Sequence, residues 1–179
     1  MRITLARPEN ELRLRPSIEE RRLLIRVLAG IVANYRLAPE DLDEKTRGVW
    51  YTTAGCASAG LSDAETQEWL KNLQAFKGEH LRLVQGWLED LKSAAPGAGG
   101  VRVRQENVPV LLTVLNDHRL MAAAQNDIGE TEMSIRTTEA LARLTPGRLR
   151  ALIEIQFLAQ LIESLLDHLP GQPGRWNVA

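Results

Sequence analysis

The sequence predicts a mainly α fold: a helical bundle of four to five main helices with a small N-terminal β-hairpin extended by a third short strand. Apolar residues recur at three- and four-residue spacing through long windows. Alternation of period two is confined to residues 1–15 and 101–103. Capping residues, namely Ser17, Ser62 and Thr145, stand immediately before three of the helical windows.

Taken in order, Ile3, Leu5, Leu12 and Leu14 alternate with polar residues on either side of a Pro8-Glu9-Asn10-Glu11 turn, which predicts two short strands. Ser17 with Glu20 forms a capping-box pattern, and Leu23, Leu24, Val27, Leu28, Ile31 and Val32 mark the first long helix, Ile18 to Tyr35. Pro39 ends it, and Glu40 to Tyr51 reads as a short polar helix closing near Trp50. Thr52 to Leu61 is rich in small residues and is expected to be a loop.

Ser62 with Glu65 repeats the capping box, and Trp69, Leu70, Leu73, Phe76, Leu81, Val84, Leu88 and Leu91 carry an amphipathic helix to about Ala95. Gly78 and Gly86 lie inside it, each at a cost of roughly 1 kcal/mol against alanine, so a close helix crossing or a kink is expected at one of them. Pro96 to Gly100 is a flexible linker by composition, and Val101-Arg102-Val103 alternates as a strand that should pair with the hairpin. The most apolar long helix, Pro109 to Asn126, follows. Gly129 to Ser134 is expected to be a loop, with a short helix near Thr137 to Leu144 beyond it.

A final helix begins at Thr145-Pro146, with Gln156, Gln160, Glu163, Ser164 and Asp167 in one polar stripe. Its remaining arc is apolar, which places it centrally in the bundle or shares it with another subunit. Residues 1–169 form one domain on this reading, and 170–179 form a loosely held tail.

Composition narrows the function classes. Hydrophobic residues make up 44%, charged residues 25%, and the formal net charge is -1, so no global field draws nucleic acid or an acidic membrane. The N-terminus lacks the apolar run of a signal peptide, no segment reaches a membrane span, and the single cysteine, Cys56, excludes an intrachain disulfide. A cytoplasmic protein is expected, with a protein partner or homo-oligomer, no membrane and no nucleic acid.

The candidate site lies in the middle of the most apolar helix, where Asn116, Asp117, His118 and Arg119 stand together. Four neighbours on a helix spread over roughly 300° of its circumference, so they cannot all face water. A buried unpaired amide or charge must find partners, and the group is therefore either a structural brace or a binding site. As a brace, Asn116 and Arg119 would satisfy carbonyls and Asp117 would neutralise an arginine from another helix. Truncating Asn116 or Arg119 would then cost roughly 2–4 kcal/mol. As a binding site, Arg119 and Asn116 would grip a carboxylate or phosphate, with Cys56 within reach of His118 as a base.

His80, His118 and His168 lack the second ligand of a helical metal motif, so no metal and no cofactor are expected. The tryptophans are expected to be core anchors. Arg102, Arg104, Arg143, Arg148 and Arg150 give only local positive charge.

Leu115-Asn116-Asp117-His118-Arg119-Leu120 resembles an uncharacterised bacterial family catalogued as domain of unknown function two-zero-one-seven, whose members carry Leu-Asn-Asp-x-Arg-Leu here. The resemblance covers Val108 to Ile128, the acidic Gly129-Glu130-Thr131-Glu132 turn and, more loosely, the final helix. The chain departs from the family at Met121 to Gln125, where many members read Leu-Gly-x-Arg-Leu, and so lacks a second arginine. The resemblance implies a mostly helical cytoplasmic bacterial protein, with no activity to carry over. The expected function is a non-enzymatic protein-interaction or adaptor module that forms a homodimer, against a small-ligand binder or enzyme built on Asn116, Asp117, His118 and Arg119.

Overall fold

The computed structural model describes residues 1–6, 10–93, 100–134 and 141–169. Strands β1 (Arg2–Ala6) and β2 (Glu11–Arg15) pair antiparallel, with Ile3 opposite Leu14 and Leu5 opposite Leu12. Asn10 takes the left-handed conformation, φ 51°, that a short polar side chain tolerates in a turn. Strand β3 (Val101–Arg104) adds antiparallel to β2, so β2 is central in the order β1-β2-β3. The strand enters at Gly100, where a Cβ would stand 1.9 Å from the Leu14 carbonyl oxygen, an approach that admits glycine alone.

Helix α1 (Ile18–Tyr35) starts at the capping box, in which the Ser17 and Glu20 side chains each bond the other's backbone N–H. The N-terminal amine donates to Glu20 at 2.5 Å, tying β1 to this corner. A single 3-10 turn (Pro39–Asp41) precedes α2 (Glu44–Trp50), which begins four residues later than its polarity suggests. Asp43 is its cap, accepting from the Thr46 N–H at 2.9 Å. The expected loop after it contains a short helix, α3 (Ala54–Ser58), that buries Cys56.

Helix α4 (Asp63–Ser93) runs through both of its glycines, and a Cβ at Gly78 or Gly86 would meet nothing within 4 Å. Neither is a helix crossing. Arg21 of α1 instead reaches the far end of α4, donating to the Leu91 carbonyl at 2.6 Å and so satisfying one of the helix's free acceptors. Trp50 and Trp87 are buried as core anchors, whereas Trp69 is 38% exposed.

Helix α5 (Val108–Gln125) carries Pro109 in its first turn, where the missing N–H costs nothing. A short helix, α6 (Glu130–Met133), stands where a loop was expected, with Glu132 bonding back to the Gly129 N–H at 3.0 Å. Helix α7 (Pro146–Leu166) is capped by Thr145. The expected linker at Pro96–Gly100 falls almost wholly outside the described residues, as do the first half of the expected helix near Thr137–Leu144 and the whole 170–179 tail.

Helix α5 packs on α7, α2, α1 and α4, and is the axis of the bundle. Leu12, Leu14, Val101 and Val103 of the sheet join Val27, Ile31, Val84, Leu91, Val114, Leu158 and Leu165 in one apolar cluster. A smaller cluster of Ala122, Ile128, Ala151, Leu152 and Ile155 closes the other end of the α5–α7 contact.

Candidate functional site

Each of the four polar residues of α5 meets a different environment, as a turn of about 100° per residue requires. Asp117 and His118 are buried, Arg119 is half-buried and Asn116 is exposed. The two buried side chains point into separate networks.

Asp117 Oδ2 accepts from the Tyr35 hydroxyl at 2.6 Å and from Lys77 Nζ. The Asp117 carbonyl accepts from Trp50 Nε1 at 2.8 Å. Lys77 is 3% exposed, and its ammonium lies 4.7 Å from the Trp50 ring centre, 5.1 Å from Tyr35 and 5.9 Å from Tyr51. One charge is thus compensated by a carboxylate on one side and by aromatic faces on the others. Tyr35 and Trp50 meet edge to face at 5.5 Å, which holds this shell rigid. The expected partner of Asp117, an arginine, is instead this lysine.

Burial, and then the neighbouring Asp117 charge, push the Tyr35 hydroxyl far above the ordinary phenol range, and the same two causes raise Tyr51. These are the only two tyrosines in the chain. A raised folded pKa gives stability that is intact below the phenol's ordinary value of about 10 and drains away as pH rises. In an alkaline titration followed by phenolate absorbance, neither ring should ionise near pH 10. The buried Tyr35 phenolate should appear only at the higher pH where the helical signal is lost, and that of the half-buried Tyr51 above the ordinary phenol range. Ionisation near pH 10 in a protein that keeps its fold would contradict the arrangement.

On the other side, His118 Nε2 lies 2.5 Å from Glu154 Oε1 of α7, and Arg26 of α1 grips Glu154 Oε2 through two nitrogens, with Nε at 3.0 Å. Burial alone would raise the Glu154 carboxyl. The hydrogen bonds from His118 and Arg26 and their charges outweigh it and hold Glu154 below the usual range. The carboxylate is therefore ionised at neutral pH and accepts only, so Nε2 carries the proton of this bond. His118 Nδ1 is buried beside Gly30 and has no hydrogen-bond partner among the described residues.

The outer pair is loosely joined, Arg119 donating to Asn116 Oδ1 at 3.4 Å. The stability loss expected of a buried Asn116 has no basis at this exposed position. His118 binds Glu154, not Cys56. His80 and His168 each bond a carbonyl one turn earlier on their own helix, Phe76 at 2.7 Å and Ser164 at 2.8 Å. Among the described residues no three His, Cys, Asp or Glu side chains stand together as metal ligands.

A surface cavity of about 640 Å³ lies between α2 and α4, lined by Arg47, Tyr51, Thr52, Thr53, Leu70 and Lys71 among others. None of the four α5 residues reaches it. Among the described residues Tyr51 connects the two places, its ring facing Lys77 as well as lining the cavity.

Sequence reading missed Lys77 and Glu154, yet each stands on an apolar stripe. Leu70, Leu73, Lys77, Leu81, Val84, Leu88 and Leu91 follow one face of α4 at three- and four-residue spacing, and Glu154 sits in line between Ala151 and Leu158 on α7. A charge at such a position is the signal of a buried pair. A family model described as Domain of unknown function (DUF2017) matches residues 64–169. The chain belongs to that family. The matched DUF2017 span holds Lys77, Asp117, His118 and Glu154, while Tyr35, Trp50 and Arg26 come from the segment before it. No curated protein and no solved structure matches the chain.

Proposed function

We propose that this DUF2017 protein is a non-enzymatic cytoplasmic module that binds other proteins and pairs with a second copy of itself through the outer edge of α7. The carrying observation is the apolar line Ala159, Ile162 and Leu166 on that helix, where Leu166 is 40% exposed beside the solvated stripe of Gln156, Gln160 and Glu163. Leu152, Ile155, Leu158, Leu161 and Leu165 of the same helix are already spent on the chain's own core.

The engagement of Asp117 with Tyr35 and Lys77, and of His118 with Glu154, supports a bracing role for these groups over a ligand site. None of the described helices is long and apolar enough to cross a membrane. An isologous contact needs a self-complementary patch, and a short apolar line bordered by polar side chains supplies one. Light scattering at micromolar concentration should give about twice the chain mass of 20.0 kDa. Leu166→Glu should return it to one chain without loss of helical signal. A wild-type protein that stays monomeric throughout overturns the self-association.

A further inference from the structure

The pairing of the strands gathers arginines that lie far apart in the sequence. In β1–β2 register Arg2 stands opposite Arg15 and Thr4 opposite Arg13, and in β2–β3 register Arg13 stands opposite Arg102 and Glu11 opposite Arg104. Side chains alternate across a sheet, so Leu12, Leu14, Val101 and Val103 go into the core, and Arg2, Arg13, Arg15, Arg102 and Arg104 share the outer face. Arg2, Arg15, Arg102 and Arg104 are exposed and Arg13 is half-buried.

The two ends of this face differ. Arg104 shares its rung with Glu11 and pairs with Glu106 at 3.6 Å, while Arg2 stands opposite Arg15 on one rung and Arg13 and Arg102 share another with Thr4. Like charges placed directly opposite destabilise a sheet, and here two such pairs, Arg2 with Arg15 and Arg13 with Arg102, stand side by side. A protein of net charge -1 thus gathers these guanidinium groups on one face of its sheet.

We infer that this sheet face is a docking surface for an acidic segment of a partner protein. Guanidinium forks bind carboxylates through two parallel hydrogen bonds, which is a reason for arginine at every one of the five positions. Alternate residues of an extended segment are about 6.6–6.8 Å apart, so carboxylates at every second position match the spacing of Arg13 with Arg15 and of Arg102 with Arg104. The other outward positions are Thr4, Ala6 and, at the Arg104 end, Glu11, which offer no ring for stacking a base. The balanced charge of the whole chain likewise gives no long-range pull on a phosphate polymer.

This rests on the chain being a partner-binding module but not on its self-association, so the Leu166→Glu variant should keep the binding. The test is fluorescence anisotropy of the full chain with a labelled ten-residue peptide of alternating glutamate and threonine, and with duplex DNA as the second probe. Saturable peptide binding that weakens with salt is expected. The double variant Arg15→Gln/Arg102→Gln should weaken it at least about tenfold while its melting temperature stays level or rises, because two like-charge pairs are relieved. Arg143→Gln, away from the sheet, should leave binding unchanged. The inference is overturned by no saturable peptide binding, by tighter binding of the DNA, or by equal effects of the sheet and control variants.

Discussion

Asp117→Ala is expected to lower stability by about 3–5 kcal/mol, the largest effect of any single polar substitution in the chain, because it strands the Lys77 ammonium in a dry aromatic shell. Lys77→Ala should cost a similar amount, leaving the Asp117 carboxylate with the Tyr35 hydroxyl as its one remaining side-chain donor among the described residues. The decisive feature is non-additivity. Replacing both partners by apolar residues of similar size, Lys77→Met with Asp117→Leu, removes the charges together, and the double variant should be more stable than either single one. Urea denaturation of wild type, Lys77→Met, Asp117→Leu and the double variant measures this directly. Two losses that simply add would mean that the ion pair does not exist in solution.

Glu154→Gln is expected to cost about 1–3 kcal/mol at neutral pH, the range for hydrogen bonds to a charged group, since the amide loses the charge and can accept from only one of Arg26 and His118 while turning an NH2 toward the other. The loss should depend on pH with a definite sign. A carboxyl held below its ordinary pKa contributes stability that is present above the unfolded value and disappears as pH falls through the folded one. Wild type should therefore lose its advantage over Glu154→Gln on the acid side, and the two melting curves should converge as pH falls below the ordinary carboxylate range. A gap that stays constant from neutral to acid pH would contradict the assignment.

Elements whose determinants are local were legible along the chain. The Ser17–Glu20 box, the Thr145-Pro146 start and the alternation at Leu12 and Leu14 each act within one turn or one strand, and the structure places α1, α7 and the hairpin accordingly. Short helices were harder. Ala54–Ser58 has no large anchor to set a period, and its reason to form is one buried cysteine and the helix preference of alanine. Glu130–Met133 is a single turn held by Glu132 folding back on Gly129, a pattern too brief to register as periodicity.

The site was half legible. That a polar run inside an apolar helix must bury something follows from helix geometry, and Asp117 and His118 are what it buries. Which two of the four go inward depends on where α2, α4 and α7 stand, and that is tertiary information. The partners Lys77 and Glu154 were visible as charges on apolar stripes, but their pairing across helices was not. The arginine face was invisible for the same reason, being assembled from segments some ninety residues apart by the register of β2 with β3.

Lys77 is sealed inside the bundle by Asp117 and three aromatic rings. The chain has three other lysines, Lys45, Lys71 and Lys92, all exposed. Reductive methylation of the native protein, read residue by residue by mass spectrometry, should modify those three and spare Lys77 until the protein is unfolded. Modification of Lys77 in the native protein at the rate of the other three would contradict the account.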